Sequence, residues 1–587
     1  MSKKKKSKED SLSKALANFR GSIVFIFLIS GAVNVLALTG AVYMLQIYDR
    51  ALTSQSIPTL MALSILAIGL YLGQGILDVI RSQVLVRLGA KLDYRLAPLA
   101  HKVTIDMPRF GFSTAEAMER GRDVDTLRHF LGGQGPLALF DLPWMPMYLV
   151  FVYVLHPWLG LTTLAGAIVL TSLTLVTEIL TRRISGDTHQ VAVERMAIAD
   201  SHARNADVLK AMGFAGRAVA RFETANARHL ALQTRASDIG GTFSGISKVL
   251  RMMLQSAILG LGAYLTIQGE LTAGAIIAAS IAAARALAPV DMAISQWKHV
   301  VSARRSYRRL GETLSAMPQE AIIVNLPPPA DSLKTEKITV AAPSTGTVIL
   351  SDISLELTAG QAVGLIGPSG GGKSSLAKAL TGVWPLVRGT VRLDGAQLDH
   401  LPVETLGEHI GYLPQDVALL DGTIAENICR FEQDPDSHPI VEAAQAAGVH
   451  ELILRLPDGY QTEVGPHGTA LSAGQRQRIA LARALYRSPF LVVLDEPNSN
   501  LDAEGDAALT KAIESVRERN GIAIVIAHRP SALVAVDSIG VIHSGKLVAF
   551  GPKDEIIQDS SGPMAASNAP PREVSRNGET QWTSQGI

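Results

Sequence analysis

The segment AVGLIGPSGGGKSS runs an apolar stretch straight into a glycine-rich turn that ends in Lys-Ser-Ser. It fits the spacing G-x-x-x-x-G-K-[ST], with Gly367, Gly372, Lys373 and Ser374 at the fixed positions. Glycines allow backbone N–H groups to close around phosphate oxygens, and a helix N-terminus adds positive potential. The candidate phosphate cradle is therefore Gly367, Pro368, Ser369, Gly370, Gly371, Gly372, Lys373, Ser374 and Ser375. In such a loop the lysine reaches the β/γ-phosphates and the Ser374 hydroxyl suits Mg²⁺. A glycine turn of this kind also arises by chance, so a second feature matters. FLVVLDE delivers two adjacent carboxylates at the end of an apolar strand. Neighbouring buried charges repel, which makes the pair costly unless each has its own task. Asp495 suits the Mg²⁺ shell and Glu496 a water attacking the γ-phosphate. The bland alternative is a surface pair ending a strand.

These residues need a strand, a turn and a helix start in one place and a second strand in another. From about residue 336 the chain supplies them: short Val/Ile/Leu runs alternate with helical patterns, which predicts an α/β fold with largely parallel strands. The first half has a different texture. Hydrophobic residues make up 47% of the 587 and charged residues only 18%, below the usual quarter for soluble proteins. Charge-free stretches cover Gly21–Tyr48, Ala51–Leu77, Leu142–Thr177 with a break at Leu155–Trp158, Met252–Gly269 and Leu271–Ala284. A spanning helix needs about 20 residues, so six spans are expected. The long connections between them carry Arg81, Arg87, Lys91, Arg95, Arg182 and Arg183. Together with the lysines of MSKKKKSKED, they place the N-terminus and these loops in the cytoplasm. Their helical character predicts spanning helices that continue into the cytoplasm.

The expected organisation is a basic segment at 1–20, a six-helix membrane domain at 21–316, a proline-broken linker at 317–335, a nucleotide-binding domain at 336–558 and a disordered Ser/Pro/Asn-rich tail at 559–587. A net charge of +1 provides no global field for nucleic acid. The lone cysteine, Cys429, excludes an intramolecular disulfide and reads as a buried thiol.

LSAGQRQRIALARAL, Leu471 to Leu485, resembles the signature segment of ATP-binding cassette transporters. Other cassette elements stand in order around it: Gln415 in YLPQD, SNLD at Ser499 to Asp502, and His528 in IVIAHRP. The fold implied is an α-helical six-span transmembrane domain of type I ABC exporter kind, followed by an α/β P-loop nucleotide-binding domain. The resemblance implies ATP and Mg²⁺ as cofactors, with Ser374, Gln415 and Asp495 toward the metal. It implies that Gln415 senses the γ-phosphate, that Glu496 polarises the attacking water and that His528 fixes the γ-phosphate. Ser472, Gly474 and Gln475 are then expected at the nucleotide of the opposite subunit, with Asp502 in the loop at the cassette interface. Two departures stand out. Ala473 replaces the usual signature glycine, with modest effect expected. No aromatic residue lies near Val340 to Pro343 to stack on adenine.

One membrane domain and one cassette imply a homodimer. FDLPWMPMYLVFVYVLHP, ARALAPVDMAISQWK, GVWPLVRGTVRLDGA and DEPNSNLD are similar to the type I secretion ATPases of Gram-negative bacteria. That family implies an inner-membrane exporter of a protein with an uncleaved C-terminal signal. It also implies a periplasmic membrane-fusion adaptor, an outer-membrane channel and surrounding membrane lipid as partners. The first span begins at Gly21, so no N-terminal peptidase domain of the leader-cleaving kind is expected. Lipid or drug efflux is the alternative, and a non-pumping regulatory cassette a more distant one. Asp141 and Arg285 lie 15 and 14 residues from outer turns at His156 and Leu271, roughly 21–23 Å deep if the helices are straight. Similar depth makes them candidate partners, with independent snorkelling of each to the cytoplasmic interface as the equal alternative, and Pro143 and Pro146 are expected to kink the span beside Asp141.

Overall fold

The computed structural model describes residues 19–316 and 326–560. The lysine-rich start, the first part of the expected linker and nearly all of the expected tail lie outside the described residues. The described chain divides into two compact units, one of residues 19–108 and 112–316, the other of 109–111 and 326–560.

The first unit is helical. Its elements are α1 (Arg20–Leu36), α2 (Thr39–Gln46), α3 (Ile57–Asp106), α4 (Thr114–Leu131), α5 (Gln134–Asp141), α6 (Met145–Leu155), α7 (Pro157–Arg204), α8 (Ala215–Ile267) and α9 (Ala273–Ala316). Among the described residues six helical stretches are long and apolar enough to cross a membrane. Boundaries follow local chemistry. Ser56 caps α3, with Pro58 in its first turn. His156 Nδ1 accepts the Trp158 N–H at the start of α7, beside Pro157. A Ser113–Glu116 capping box starts α4. The 50 residues of α3 and the 53 of α8 reach roughly 75–80 Å, far more than ~30 Å of hydrocarbon. Both helices are far longer than a single crossing requires.

Of the two readings for Asp141 and Arg285, the pairing is not what the structure shows. Asp141 Oδ1 lies 2.6 Å from Arg81 Nη1 and accepts from Asn34 Nδ2 at 2.9 Å. Arg81 is buried and also donates to Ser30 and Asp78. Tyr148 donates to both Asn34 oxygens at 2.8 and 3.1 Å. Arg285 is exposed and makes no ion pair among the described residues. Sequence depth sets a level along the helix but neither its rotation nor its tilt. A 3-10 turn at Leu142–Trp144 splits the third span beside Asp141, at the prolines expected to bend it, so the straight-helix arithmetic fails there.

Further along the same unit, α4, α7 and α9 share a second charged cluster. Arg309 binds Glu119 at 2.7 Å and Asp123, which is almost wholly buried. His189 also hydrogen-bonds Glu119. That bond, and then Arg309 against the opposing effect of burial, hold the Glu119 carboxyl below its ordinary pKa.

The second unit is an α/β cassette. A four-stranded antiparallel sheet has the order β2 (Val348–Thr358), β1 (Ser332–Ala341), β4 (Arg388–Leu393), β5 (Ala396–Gln397). Strand β1 thus begins within the expected linker. A six-stranded sheet has the order β10 (Lys546–Pro552), β9 (Ser538–His543), β3 (Ala362–Ile366), β8 (Ile522–Ile526), β7 (Leu491–Asp495), β6 (Ile410–Leu413). All its neighbours are parallel except β10. Strand β7 is buried at every residue, which is the physical reason for its continuous apolar run. Its side chains alternate between faces. Leu491 and Val493 pack with Leu376 and Leu380 of α10 (Lys373–Leu380), while Val492 and Leu494 face Ile479 of α11 (Ala473–Leu485) and Ile513 of α12 (Ala503–Glu518). Each such side chain contributes about 1.5–3 kcal/mol of burial. Cys429 is buried beside them.

Candidate functional site: a nucleotide edge

Parallel strands all point one way, so their C-terminal ends collect at one edge of the sheet. Gly367 follows β3, Gln415 follows β6, Asp495 ends β7 and His528 follows β8.

The turn after β3 is tight enough to exclude side chains at two positions. A Cβ at Gly367 (φ +147°) would lie 2.0 Å from the Ile542 carbonyl oxygen, and one at Gly372 (φ +103°) would lie 2.5 Å from the Leu350 side chain. Lys373 opens α10 and is buried. Its Nζ donates to the Gly367 and Pro368 carbonyls at 2.9 and 3.0 Å. Burial pushes the amine's pKa down, against the pull of Glu496 and Asp495.

Alternation along β7 explains the next contact. Asp495 follows Leu491 and Val493 onto the α10 face, where Ser374 Oγ donates to its Oδ1 at 3.1 Å. Asp495 is 1% exposed, and its Oδ2 has no hydrogen-bond partner among the described residues. Burial raises its pKa, and the Ser374 bond only partly opposes this. A hydroxyl beside a buried carboxylate with a spare oxygen fits Mg²⁺, which prefers oxygen ligands and one or two carboxylates.

Glu496 leaves the strand differently. Its backbone is left-handed, at φ +50°, a conformation that non-glycine residues keep only under constraint. Its N–H donates to the Ile526 carbonyl at 2.9 Å. The carboxylate is turned toward His528, with Oε1 3.3 Å from Nε2. The two adjacent acids therefore point to different neighbours.

The structure brings Lys373, Ser374, Asp495, Glu496 and His528 into one connected site. Gln415 lies exposed at the same edge. Ser369, Gly370, Gly371 and Ser375 belong to the turn and first turn of α10. Ser472 and Gln475 form a reciprocal capping box at the start of α11. Ala473 is exposed there. A Cβ at Gly474 would approach the Asn500 carbonyl oxygen to 2.9 Å. Asp502 caps α12 and pairs with buried Arg478, a structural task that its motif does not disclose. The hairpin from Ala342 to Thr347 carries no aromatic residue.

Sequence reasoning missed Gln477 and Asn498, which are 2% and 3% exposed. Gln477 Nε2 donates to the Glu496 and Pro497 carbonyls, and its Oε1 accepts from Asn500 N at 3.0 Å. Asn498 Nδ2 donates to Ser531 Oγ. The one available signal was two amide residues lying beside chemical motifs.

Comparison with known proteins agrees with this geometry. Residues 350–499 match the ABC transporter family and residues 23–286 match the ABC transporter transmembrane region. The type I secretion system ATP-binding protein PrsD of Rhizobium meliloti is 49% identical over 543 residues, 92% of this chain and 93% of that protein. The alpha-hemolysin translocation ATP-binding protein HlyB of Escherichia coli O157:H7 is 27% identical, over 92% of this chain and 77% of that protein. The structure of a bacterial Atm1-family ABC exporter with ATP bound superposes with a TM-score of 0.79 at 22% identity, covering 96% of this chain and all of that one. The chain belongs to the ABC transporters and, within them, to the ATP-driven exporters of type I secretion.

Proposed function

We propose that two copies of this chain pair to form composite ATP sites. Their cycle drives a protein with an uncleaved C-terminal signal across the bacterial inner membrane. A periplasmic membrane-fusion adaptor and an outer-membrane channel receive it. The N-terminus and the cassette lie in the cytoplasm in this reading. The membrane domain is assigned to 21–316, the linker to 317–335 and the cassette to 336–558. The observation that carries the proposal is the joined set Ser374–Asp495 and Glu496–His528 beside Lys373.

Phosphoryl transfer requires mainly positioning and charge stabilisation. The Gly367–Ser375 turn cradles the phosphates through its N–H groups. Lys373 transfers its hydrogen bonds from two carbonyls to β/γ-phosphate oxygens. Ser374 and Asp495, with Gln415 nearby, would hold Mg²⁺, which would neutralise phosphate charge when bound. Glu496 orients the attacking water and takes its proton. His528 holds the γ-phosphate and keeps the Glu496 carboxylate in register. Ser472, Gly474 and Gln475 meet the nucleotide bound by the other copy, with Asp502 near the interface.

The test is Glu496→Gln in the full-length protein. The variant should retain ATP in a closed state and stop secretion. Undiminished steady-state hydrolysis would remove Glu496 from its role. Full transport in the absence of the adaptor and channel would favour lipid or drug efflux instead.

A further inference from the structure

Two segments face each other at the nucleotide edge: the turn Glu496–Asn500 after β7, and Ala527–Ser531 after β8. They are joined by three contacts. The outer joint is Glu496 to His528 at 3.3 Å, between side chains 24% and 40% exposed. The inner joint is Asn498 Nδ2 donating to Ser531 Oγ at 3.1 Å. Asn498 is buried, and its carbonyl also accepts from Arg529 Nη1 at 3.4 Å. Gln477 grips the same turn from α11, at the carbonyls of Glu496 and Pro497 and the N–H of Asn500. A contact between partly exposed side chains competes with water and holds geometry weakly. A buried amide with its partners in place holds it firmly, because breaking the bond strands a polar group away from water.

We infer that Asn498 and Ser531 are a positioning pair for hydrolysis. Their hydrogen bond, anchored on the buried Asn498 amide, sets the spacing at which Glu496 and His528 face each other. Gln477 maintains the left-handed Glu496 turn from which that spacing is measured. The inference rests on the roles proposed above for Glu496 and His528. Asn498 and Ser531 act through those two residues. A purely structural bond would change stability when lost. A positioning bond changes turnover and leaves ATP binding intact.

The experiment uses the full-length protein in lipid nanodiscs. It compares Asn498→Ala, Ser531→Ala, their double variant, Ser531→Thr and Glu496→Gln. Each alanine variant should lower kcat about tenfold, equivalent to ~1.4 kcal/mol. ATP affinity, measured without turnover, should remain within about twofold of wild type. The double variant should lose about the same as either single one, as expected for residues that act as one unit. Ser531→Thr keeps the hydroxyl and should recover most of the rate. Wild-type kcat in both single variants, losses that multiply to about a hundredfold, or a loss confined to ATP affinity would each overturn the inference. Should Asn498→Ala fail to fold, Ser531→Ala against Ser531→Thr poses the same question with one hydroxyl. An inactive Glu496→Gln alongside fully active Asn498→Ala and Ser531→Ala overturns the positioning pair alone. An active Glu496→Gln overturns the catalytic reading beneath it.

Discussion

Replacing Arg81 with leucine removes three hydrogen bonds from the membrane unit: to Asp141 at 2.6 Å, Ser30 at 3.0 Å and Asp78 at 2.8 Å. Asp141 would then keep only Asn34. Breaking a buried ion pair on one side costs about 3–5 kcal/mol, mostly because the other charge is left uncompensated. The Asp141 side chain is 17% exposed, so the lower end, about 3 kcal/mol, applies to Arg81→Leu. Asp141→Leu should cost less, about 1–2 kcal/mol, because Arg81 keeps Asp78 and Ser30. The double leucine variant should fall within ~1 kcal/mol of wild type, since no buried charge is left alone. Thermal unfolding of the full-length protein in nanodiscs reads this order. Charge reversal gives the sharper test. Asp141→Arg should be rescued by Arg81→Asp and not by Arg285→Asp, scored as recovered stability and ATP turnover. Rescue by Arg285→Asp alone, or Arg81→Leu proving no worse than Asp141→Leu, would refute the reasoning.

Gly274→Ala should destabilise the protein by about 1–3 kcal/mol. The new Cβ would lie 2.6 Å from Asp49 Oδ1, the carboxylate that accepts the Gly274 N–H and the Thr272 hydroxyl at the start of α9; an unchanged unfolding temperature would count against that cap. Asp495→Asn should raise the unfolding temperature of the nucleotide-free protein at pH 7 while abolishing Mg²⁺-dependent hydrolysis. Burial raises the Asp495 pKa, so the folded state holds this proton to higher pH than the unfolded chain does. The charge therefore subtracts stability as pH rises from the ordinary carboxylate value through the raised one, and the variant's gain should fade toward pH ~3.9. A variant less stable than wild type at pH 7 would contradict this sign. Competition between ATP and GTP should show weak discrimination, because the Ala342–Thr347 hairpin lacks an aromatic residue and base stacking on one is worth ~1–3 kcal/mol in nucleic-acid sites; a strong preference for ATP would show that adenine is read in another way.

The amino-acid sequence alone determined the chemistry and the number of spans. A phosphate cradle depends on residues within one segment of eight or nine, and Gly367 to Ser375 carry that spacing. The carboxylate pair was legible for the same reason, since Asp495 and Glu496 are neighbours. Spans were legible because hydrocarbon thickness imposes a length that apolar runs must meet. The tertiary structure decided who partners whom. Asp141 meets Arg81, 60 residues away, because helix rotation and the 3-10 break at Leu142–Trp144 choose the azimuth that a count of residues leaves open. Asn498 meets Ser531, 33 residues away, because β7 and β8 lie side by side in the sheet. Glu119, His189 and Arg309 converge from three helices with no common motif. Local spacing records the groups that a reaction needs. Burial and neighbouring strands determine what holds those groups in place, because these depend on contacts between distant parts of the chain.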